Sequence, residues 1–214
     1  MSLKVGIARF LGTNCDEDVK KWVLSKSYKA DYLWYEDQFN TNDYDVVIIP
    51  GGFSHGDYLR CGALAAQTPV MKSIKEFAKK DKPILGICNG FQILCEAGLL
   101  PGALLRNEGQ KFKDEWALLR VRQNQTSFLQ NIEKEQVIKL PIAHGEGQYY
   151  AEASTLNQLN DKGQIWLTYE NNPNGSALNI AGITNEKRNI CGLMPHPERA
   201  LYDWMGSTDG MCFL

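Results

Sequence analysis

The chain has 214 residues, 43% of them hydrophobic, and a formal net charge of −2. A protein of this length buries roughly 70% of the surface that its unfolded chain exposes, so its core needs no disulfide framework. No run of Lys or Arg is long, and no apolar run approaches the roughly 20 residues of a membrane-spanning helix. The composition therefore argues against nucleic acid or a membrane as partner, and we expect a cytoplasmic protein.

The first half of the chain predicts alternating strands and helices. Apolar runs predict strands at residues 4–10, 30–35, 46–49 and 83–87. Helical patterns begin after Thr13-Asn14, cover residues 71–78, and extend from about residue 90 to residue 97, with Gly98 as the stop. The run 46–49 is apolar on both faces, which is typical of a central parallel strand covered by helices. This alternation predicts a doubly wound, mainly parallel sheet flanked by helices, which is an α/β fold.

The second half of the chain predicts strands that are joined mainly by turns. These strands cover residues 116–121, 137–142, 165–169, 178–184 and 190–194, and one helix at about 154–160 interrupts them. No linker, repeat or low-complexity segment separates the two halves. We therefore predict a single domain over residues 1–214, in which an antiparallel extension continues the parallel sheet.

A sharp turn is predicted at Cys88, between the strand that ends at Ile87 and the following helix. Gly86 and Gly90 remove Cβ atoms on either side of Cys88, as in a nucleophile elbow that carries Cys in place of Ser. The helix N-terminus favours the thiolate, and the backbone N–H of Asn89 would point toward an oxyanion beside Cys88. The same pattern also fits a tight strand-to-helix turn with a buried, inert thiol.

The other five cysteines are expected to be buried and reduced, because no pair has the C-x-x-C spacing. Cys15 is the nearest competitor to Cys88, since it also follows a strand at the start of a helix. Asp16, Glu17 and Asp18 come directly after Cys15, and nearby negative charge disfavours a thiolate. We therefore predict that Cys15 is structural or packs in a loop near the site.

A thiolate nucleophile needs a base that can also protonate the leaving group, and this base is usually His. His196 lies between Pro195 and Pro197, and a following proline favours an extended conformation. In an extended segment residues i and i+2 share a side, so Glu198 can orient the imidazole of His196. Cys88, His196 and Glu198 are therefore predicted to form a catalytic triad.

No metal or cofactor site is predicted. The three His do not cluster in the sequence, and no His/Cys pair has the spacing of metal ligands. The phosphate-binding pattern G-x-x-x-x-G-K-[ST] is also missing, so any ATP chemistry is expected on another polypeptide.

These motifs together resemble the class I glutamine amidotransferase family, through Gly86-x-Cys88-x-Gly90-x-Gln92 and His196-Pro197-Glu198. More narrowly, the chain is similar to the glutaminase subunit (subunit I) of phosphoribosylformylglycinamidine synthase from purine biosynthesis. The segments that carry this narrower resemblance are residues 12–16, 50–62, 99–103, 143–147, 174–176 and 195–200.

The resemblance implies a mechanism in which Cys88 attacks the side-chain amide of L-glutamine. The N–H groups of Gly52 and Asn89 would stabilise the oxyanion, and His196 would protonate the departing ammonia. A γ-glutamyl thioester would remain and be hydrolysed by water. Gln92 is implied to help hold the substrate. For His144 and Glu146 the resemblance implies a role in glutamine binding or at a partner interface.

The resemblance also implies partners. Ammonia would pass to an ATP-using synthetase subunit that converts formylglycinamide ribonucleotide to formylglycinamidine ribonucleotide, with a small third subunit in the same complex. We expect docking around the triad, at residues 55–59, at residues 145–150 and at a short helix after Pro197. In that helix Ala200, Leu201, Trp204 and Met205 would form an apolar stripe, unless they pack on the core of the chain.

Three alternatives remain open from the sequence. The chain could serve as the amidotransferase subunit of a different synthase, against which the segment 51–62 argues. It could also be a cysteine hydrolase or a chaperone-like relative of the same fold, which would place a carboxylate near the thiol. The third alternative is a non-catalytic interaction module, which an intact triad disfavours.

Overall fold

The computed structural model describes residues 2–129 and 131–214, and in them the apolar runs of the sequence form eleven strands. The strands are β1 (Lys4–Arg9), β2 (Lys29–Trp34), β3 (Val46–Ile49), β4 (Ile84–Ile87), β5 (Ala103–Leu105), β6 (Lys113–Val121), β7 (Val137–His144), β8 (Gln148–Tyr150), β9 (Ile165–Tyr169), β10 (Ile180–Thr184) and β11 (Ile190–Leu193). Nine of them form one sheet in the order β2-β1-β3-β4-β11-β10-β9-β6-β7, and β5 pairs with β8 separately.

Four α-helices lie in the described part of the chain. They are α1 (Asp16–Ser25), α2 (Pro69–Lys79), α3 (Asn89–Glu96) and α4 (Ala153–Asp161). Their apolar residues recur with helical spacing and are buried, as for Met71, Ile74 and Phe77 on α2. None of these helices combines the length and the apolar character that a membrane crossing requires.

The sheet has two halves that differ in strand direction. In the parallel half, β2, β1, β3, β4 and β11 pair in parallel, and every residue of β3, β4 and β11 is buried. In the antiparallel half, β10, β9, β6 and β7 continue the sheet from β11 with alternating directions. The predicted fold class, a mainly parallel doubly wound sheet with an antiparallel extension, is confirmed.

Several predicted boundaries were wrong. Helix α1 begins at Asp16 with Cys15 in the N-cap position, because Thr13 uses its hydroxyl to accept the N–H of Phe10 at 2.9 Å. The strand predicted at 178–184 begins only at Ile180, since residues 177–179 form a 3-10 turn in which Leu178 has a φ of 50°. Strands β5 and β8 were not predicted, because three residues are too few to show an alternating pattern.

The topology fixes where a site can lie. The neighbours β1, β3, β4 and β11 run in the same direction, so their carboxyl ends meet along one edge of the sheet. Ligands of open α/β sheets bind at this edge. The segments that leave these four strands carry, in order, Cys15, Gly51-Gly52, Cys88 and His196.

Candidate active site

Cys88 is the single residue between the end of β4 and the start of α3. Its φ of 51° and ψ of −107° lie outside the regions that are open to L-residues without strain. The flanking glycines make this turn possible. A Cβ on Gly90 would lie 1.9 Å from the carbonyl oxygen of Ile49, and one on Gly86 would lie 2.6 Å from the carbonyl oxygen of Gly90. The sharp turn predicted from the sequence is therefore present, and it holds the thiol at the strand edge.

His196 and Glu198 form a buried pair, and each is only 1% exposed. The imidazole Nδ1 lies 2.6 Å from Oε1 of Glu198. Residues 197–199 form a 3-10 turn, so the extended conformation predicted as far as Glu198 was wrong, although the carboxylate still reaches the ring. Since a carboxylate accepts, Nδ1 donates its proton to Glu198, which leaves Nε2 to face the site.

The charge of this pair follows from its surroundings. Burial by itself would lower the pKa of His196, but the Glu198 carboxylate and the thiols of Cys88 and Cys15 raise it well above its usual value. His196 is therefore an imidazolium at neutral pH. It faces a cysteine thiol on one side and a carboxylate on the other.

Gly51 explains how three side chains can meet at one point. A Cβ on Gly51 would lie 2.8 Å from Cε1 of His196, 3.0 Å from Sγ of Cys15 and 3.4 Å from Cβ of Cys88. The N–H of Cys88 also donates to the carbonyl oxygen of Leu193 at 2.8 Å, which ties the elbow to the chain that leads to His196. The predicted triad residues thus come together at the ends of adjacent strands.

Cys15 packs beside this group, as the sequence predicted. Arg199 donates from Nη2 to Sγ of Cys15 at 3.1 Å, and burial raises the pKa of this thiol. Donor atoms of Cys15, His196 and Glu198 all lie within 4.8 Å of one another. Spacing along the chain could not reveal this grouping of potential metal ligands. Cys15 comes from the N-terminal part of the chain and His196 and Glu198 from the C-terminal part, and only the sheet brings them together.

The two predicted oxyanion donors have free N–H groups. Those of Gly52 and Asn89 make no hydrogen bond to any residue that the structure describes. Asn89 stands in the first turn of α3, where the backbone N–H has no intrahelical acceptor. Gly52 has a φ of 150° and could not carry a side chain, since its Cβ would lie 2.7 Å from the carbonyl oxygen of Gly12.

A cavity of about 230 Å³ opens beside Cys88, and Gln92, His144 and Glu146 are among the residues that line it. Gln92 is buried rather than solvated. Its Nε2 donates to the carbonyl oxygen of Glu146 at 2.6 Å, and its Oε1 accepts from Nδ2 of Asn89 at 2.8 Å. The structure thus brings the three residues predicted to bind substrate to one cavity, and their contact with glutamine stays a prediction.

His144 belongs to a buried polar network that the sequence analysis missed. Its Nδ1 donates to Oδ1 of Asn107 at 3.0 Å, because the same oxygen also accepts the N–H of Gly147 at 2.9 Å. Nδ2 of Asn174 lies 3.5 Å from Nε2 of the ring. Burial and the nearby charge of His196 lower the pKa of His144 to about 4, so its ring is neutral at neutral pH.

Three further residues with ionisable side chains line the cavity and were not predicted as site residues: Asp57, Cys61 and Arg106. Burial raises the pKa of the Asp57 carboxyl group and of the Cys61 thiol. Nε of Arg106 lies 3.7 Å from Oε1 of Glu146. Asp57 and Cys61 belong to the segment 50–62 that carries the family resemblance, whereas nothing in the sequence around Arg106 indicated a site.

Comparison with known proteins identifies the family. Residues 2–210 match the model of the CobB/CobQ-like glutamine amidotransferase domain. The chain belongs to this glutamine amidotransferase family. A chain in the structure of PurLQS from Thermotoga maritima is 41% identical to this chain. The two align with a TM-score of 0.91 over 99% of this chain and 95% of that one. A glutamine amidotransferase from the same organism shares the fold at 20% identity, with a TM-score of 0.61 over 94% of this chain and 78% of that one.

The family resemblance that the sequence predicted is therefore confirmed. The amidotransferase is an enzyme that hydrolyses the side-chain amide of glutamine to glutamate and ammonia. The interpretation of the chain as a non-catalytic module is thereby excluded.

Proposed function

We propose that this amidotransferase is the glutaminase subunit of a phosphoribosylformylglycinamidine synthase complex in the cytoplasm. In this proposal its ammonia passes to an ATP-using synthetase subunit, which converts formylglycinamide ribonucleotide to formylglycinamidine ribonucleotide, and a small third subunit completes the assembly. The observation that carries the proposal is the 41% identity to a chain of PurLQS over 99% of this chain. With a TM-score of 0.91 over 99% of this chain, the backbone is similar throughout the chain, and not only at the active site.

The reaction begins with attack of the Cys88 thiolate, whose proton is held on Nε2 of His196, on the amide carbon of glutamine. The carbonyl oxygen becomes an oxyanion, which accepts the free N–H groups of Gly52 and Asn89. These donors are fixed by the backbone on both sides of the thiol, so little reorganisation is needed when the charge develops. Removal of one such donor in an acyl-transfer enzyme costs roughly 10²–10³ in kcat.

His196 acts first as an acid. Its raised pKa keeps a proton on Nε2, and this proton goes to the amide nitrogen as the carbon–nitrogen bond breaks and ammonia departs. The remaining γ-glutamyl thioester on Cys88 is cleaved by a water molecule that gives a proton back to the now neutral His196. Glu198 holds Nδ1 throughout and stabilises the imidazolium.

The cavity provides a place for the amino-acid end of glutamine. Arg106 and Glu146 on its wall carry charges opposite to the α-carboxylate and the α-ammonium group. Asp57 has a buried Oδ1 without a hydrogen-bond partner among the described residues, which adds a second acceptor for the ammonium group. Gln92 holds the carbonyl group of Glu146, and the neutral ring of His144 shares Oδ1 of Asn107 with the N–H of Gly147, so both support the wall that carries Glu146.

Exposed apolar side chains near the cavity form the surface that we assign to the synthetase. Tyr58 is 74% and Leu59 is 87% exposed, in the predicted docking segment 55–59. After Pro197, residues 197–199 and 203–205 form two separate 3-10 turns. Ala200 and Leu201 pack on the core, which is the alternative that the sequence left open beside an apolar docking stripe. Trp204 alone is strongly exposed there, at 80%.

The test uses the reconstituted complex with two nitrogen sources. With Cys88→Ala, synthesis from glutamine should be lost while synthesis from added ammonium salt continues at the wild-type rate, because the synthetase site is untouched. The synthetase should also raise the glutaminase activity of the wild-type chain when ATP and formylglycinamide ribonucleotide are present. If the chain alone is fully active and the synthetase does not change its activity, a free-standing hydrolase is the correct description.

A further inference from the structure

Arg199 connects the first helix of the chain to the turn that carries the triad base. It follows Glu198 directly, and its backbone N–H donates to the carbonyl oxygen of His196 at 3.2 Å. Its guanidinium group reaches α1, where Nε donates to Oδ2 of Asp18 at 3.3 Å and Nη2 donates to Sγ of Cys15 at 3.1 Å. The mechanism proposed above uses neither Arg199 nor Cys15, so their contact calls for a separate explanation.

The side chain of Cys15 is held as a neutral thiol. Its Sγ accepts from Arg199, and its own S–H donates to Oδ1 of Asn14 at 3.2 Å. Its backbone N–H donates to the carbonyl oxygen of Gly51 at 3.2 Å, which ties the residue to the loop after β3. Burial raises the pKa of this thiol, so it keeps its proton. The sulfur atom therefore has a fixed position and no charge of its own.

The fixed sulfur packs beside the imidazole of His196. A Cβ on Gly51 would lie 3.0 Å from Sγ of Cys15 and 2.8 Å from Cε1 of the ring, and donor atoms of Cys15, His196 and Glu198 lie within 4.8 Å of one another. Glu198 holds the ring only at Nδ1, whereas Nε2 has no hydrogen-bond partner among the described residues. A single hydrogen bond lets a ring swing about it, so packing against the sulfur limits this motion.

We propose that Arg199 is a positioning residue for the catalytic imidazole: it holds Sγ of Cys15, and the sulfur keeps Nε2 of His196 aimed at Cys88. A misplacement of about 1 Å can cost roughly 10²-fold in rate, because proton transfer needs hydrogen-bond distances. Cys15 and Arg199 line a cavity of about 170 Å³ that is separate from the one assigned to glutamine, so substrate affinity should not depend on them. This inference rests on the proposed role of His196.

The first test measures glutamine hydrolysis by the reconstituted complex with Arg199 variants. Arg199→Gln should lower kcat by about 10- to 100-fold and leave KM for glutamine within about twofold, because the sulfur loses its donor while the glutamine cavity is untouched. Arg199→Lys keeps a charged donor and should recover part of this loss. Arg122→Gln is the matched control, since Arg122 is exposed and pairs with Glu135 in the antiparallel half of the sheet. It should leave kcat unchanged.

The second test asks whether Arg199 acts through the sulfur. Cys15→Ser keeps an acceptor and a donor and should retain most of the activity, whereas Cys15→Ala should lower kcat about as much as Arg199→Gln. In the double variant of Arg199→Gln and Cys15→Ala, kcat should lie within about twofold of that of Cys15→Ala alone, because residues that act as one unit are not additive. Labelling of Cys88 with a glutamine-derived electrophile counts the folded sites, so kcat is expressed per site.

The outcomes separate this inference from the proposed mechanism. Losses that multiply in the double variant would overturn it, since Arg199 would then act on the triad directly through its charge. An unchanged kcat in Arg199→Gln, or a rise in KM as large as the loss in kcat, would overturn it as well. If His196→Ala keeps the wild-type kcat, the proposed mechanism itself is wrong. If His196→Ala is inactive and Arg199→Gln is not affected, only the positioning role is wrong.

Discussion

The parallel and the antiparallel halves of the sheet supply different parts of the active site. The parallel half carries the reacting groups, because Cys88 follows β4 and His196 follows β11 at the ends of neighbouring strands. The antiparallel half carries the far wall of the cavity, since β7 ends at His144 and the loop after it contains Glu146. The first set of residues is held by backbone geometry, and the second by buried side-chain amides.

This difference separates two physical tasks. A nucleophile must be placed against its base and its oxyanion donors within a few tenths of an ångström, and a strained turn between a strand and a helix does this without flexible side chains. A wall that binds an amino acid needs shape and charge instead. The network of Asn107, His144 and Asn174 provides them, but every member must stay paired because it is buried.

The largest expected effect is in the parallel half. Cys88→Ser should reduce glutamine hydrolysis by roughly 10⁴-fold or more, because the hydroxyl gives no comparable anion at the elbow. A glutamine-derived electrophile should label Cys88 alone, as detected by mass spectrometry of peptides. Cys15→Ser is the control and should retain most of the activity. Labelling mainly at Cys15 would contradict the assignment.

Glu198→Gln should have the next largest effect. The amide keeps the shape but cannot stabilise the imidazolium, so kcat should fall by roughly 10³–10⁴-fold while KM for glutamine changes little. Because Glu198 raises the pKa of His196, loss of the carboxylate lowers that pKa. Activity of the variant should therefore decline at a lower pH than in the wild type as pH rises and His196 loses its proton. A pH profile of kcat/KM that does not move would mean that the carboxylate acts only as a structural group.

In the antiparallel half the expected effect is on stability. The pKa of His144 is about 4 when folded and about 6.5 when unfolded, so between these values the unfolded chain binds more protons. The free energy of unfolding should therefore fall by about 3 kcal/mol through His144 as pH falls from 6.5 to 4, since one pKa unit is about 1.4 kcal/mol. Urea unfolding at several pH values measures this slope. It should be shallower in His144→Gln, and an unchanged slope would assign the acid sensitivity to other groups.

The smallest expected effect distinguishes two neighbouring glycines. A Cβ on Gly147 would lie 2.3 Å from Cε1 of His144, whereas a Cβ on Gly145 would meet only Phe112 at 3.7 Å. Gly147→Ala should therefore destabilise the protein by about 1–3 kcal/mol and raise KM for glutamine, because the ring must move. Gly145→Ala should have a clearly smaller effect on both, as measured by urea unfolding and steady-state kinetics. Equal effects would show that the packing around His144 does not shape the cavity.

The two halves of the sheet also differ in how much of their part of the site the sequence predicts. Cys88, His196 and Glu198 were predictable because short local patterns of glycine and proline define their geometry. The partners of His144 were not, since Asn107 and Asn174 lie 37 and 30 residues away, in loops that only the folded chain brings to it. Cys15 was predicted to pack near the site, but its position beside His196 was not, because that depends on the order of β1, β3, β4 and β11 in the sheet.

The elbow also limits how the chain can change in length. Cys88 is the only residue between β4 and α3, and α3 carries Asn89 and Gln92 on its first turn. One inserted residue would turn the helix by about 100°, because an α-helix has 3.6 residues per turn. The side chain of Gln92 would then leave the carbonyl group of Glu146, and the oxyanion donor would shift away from the thiol. Surface loops of folded proteins generally tolerate insertions, but at this junction we expect none to be tolerated.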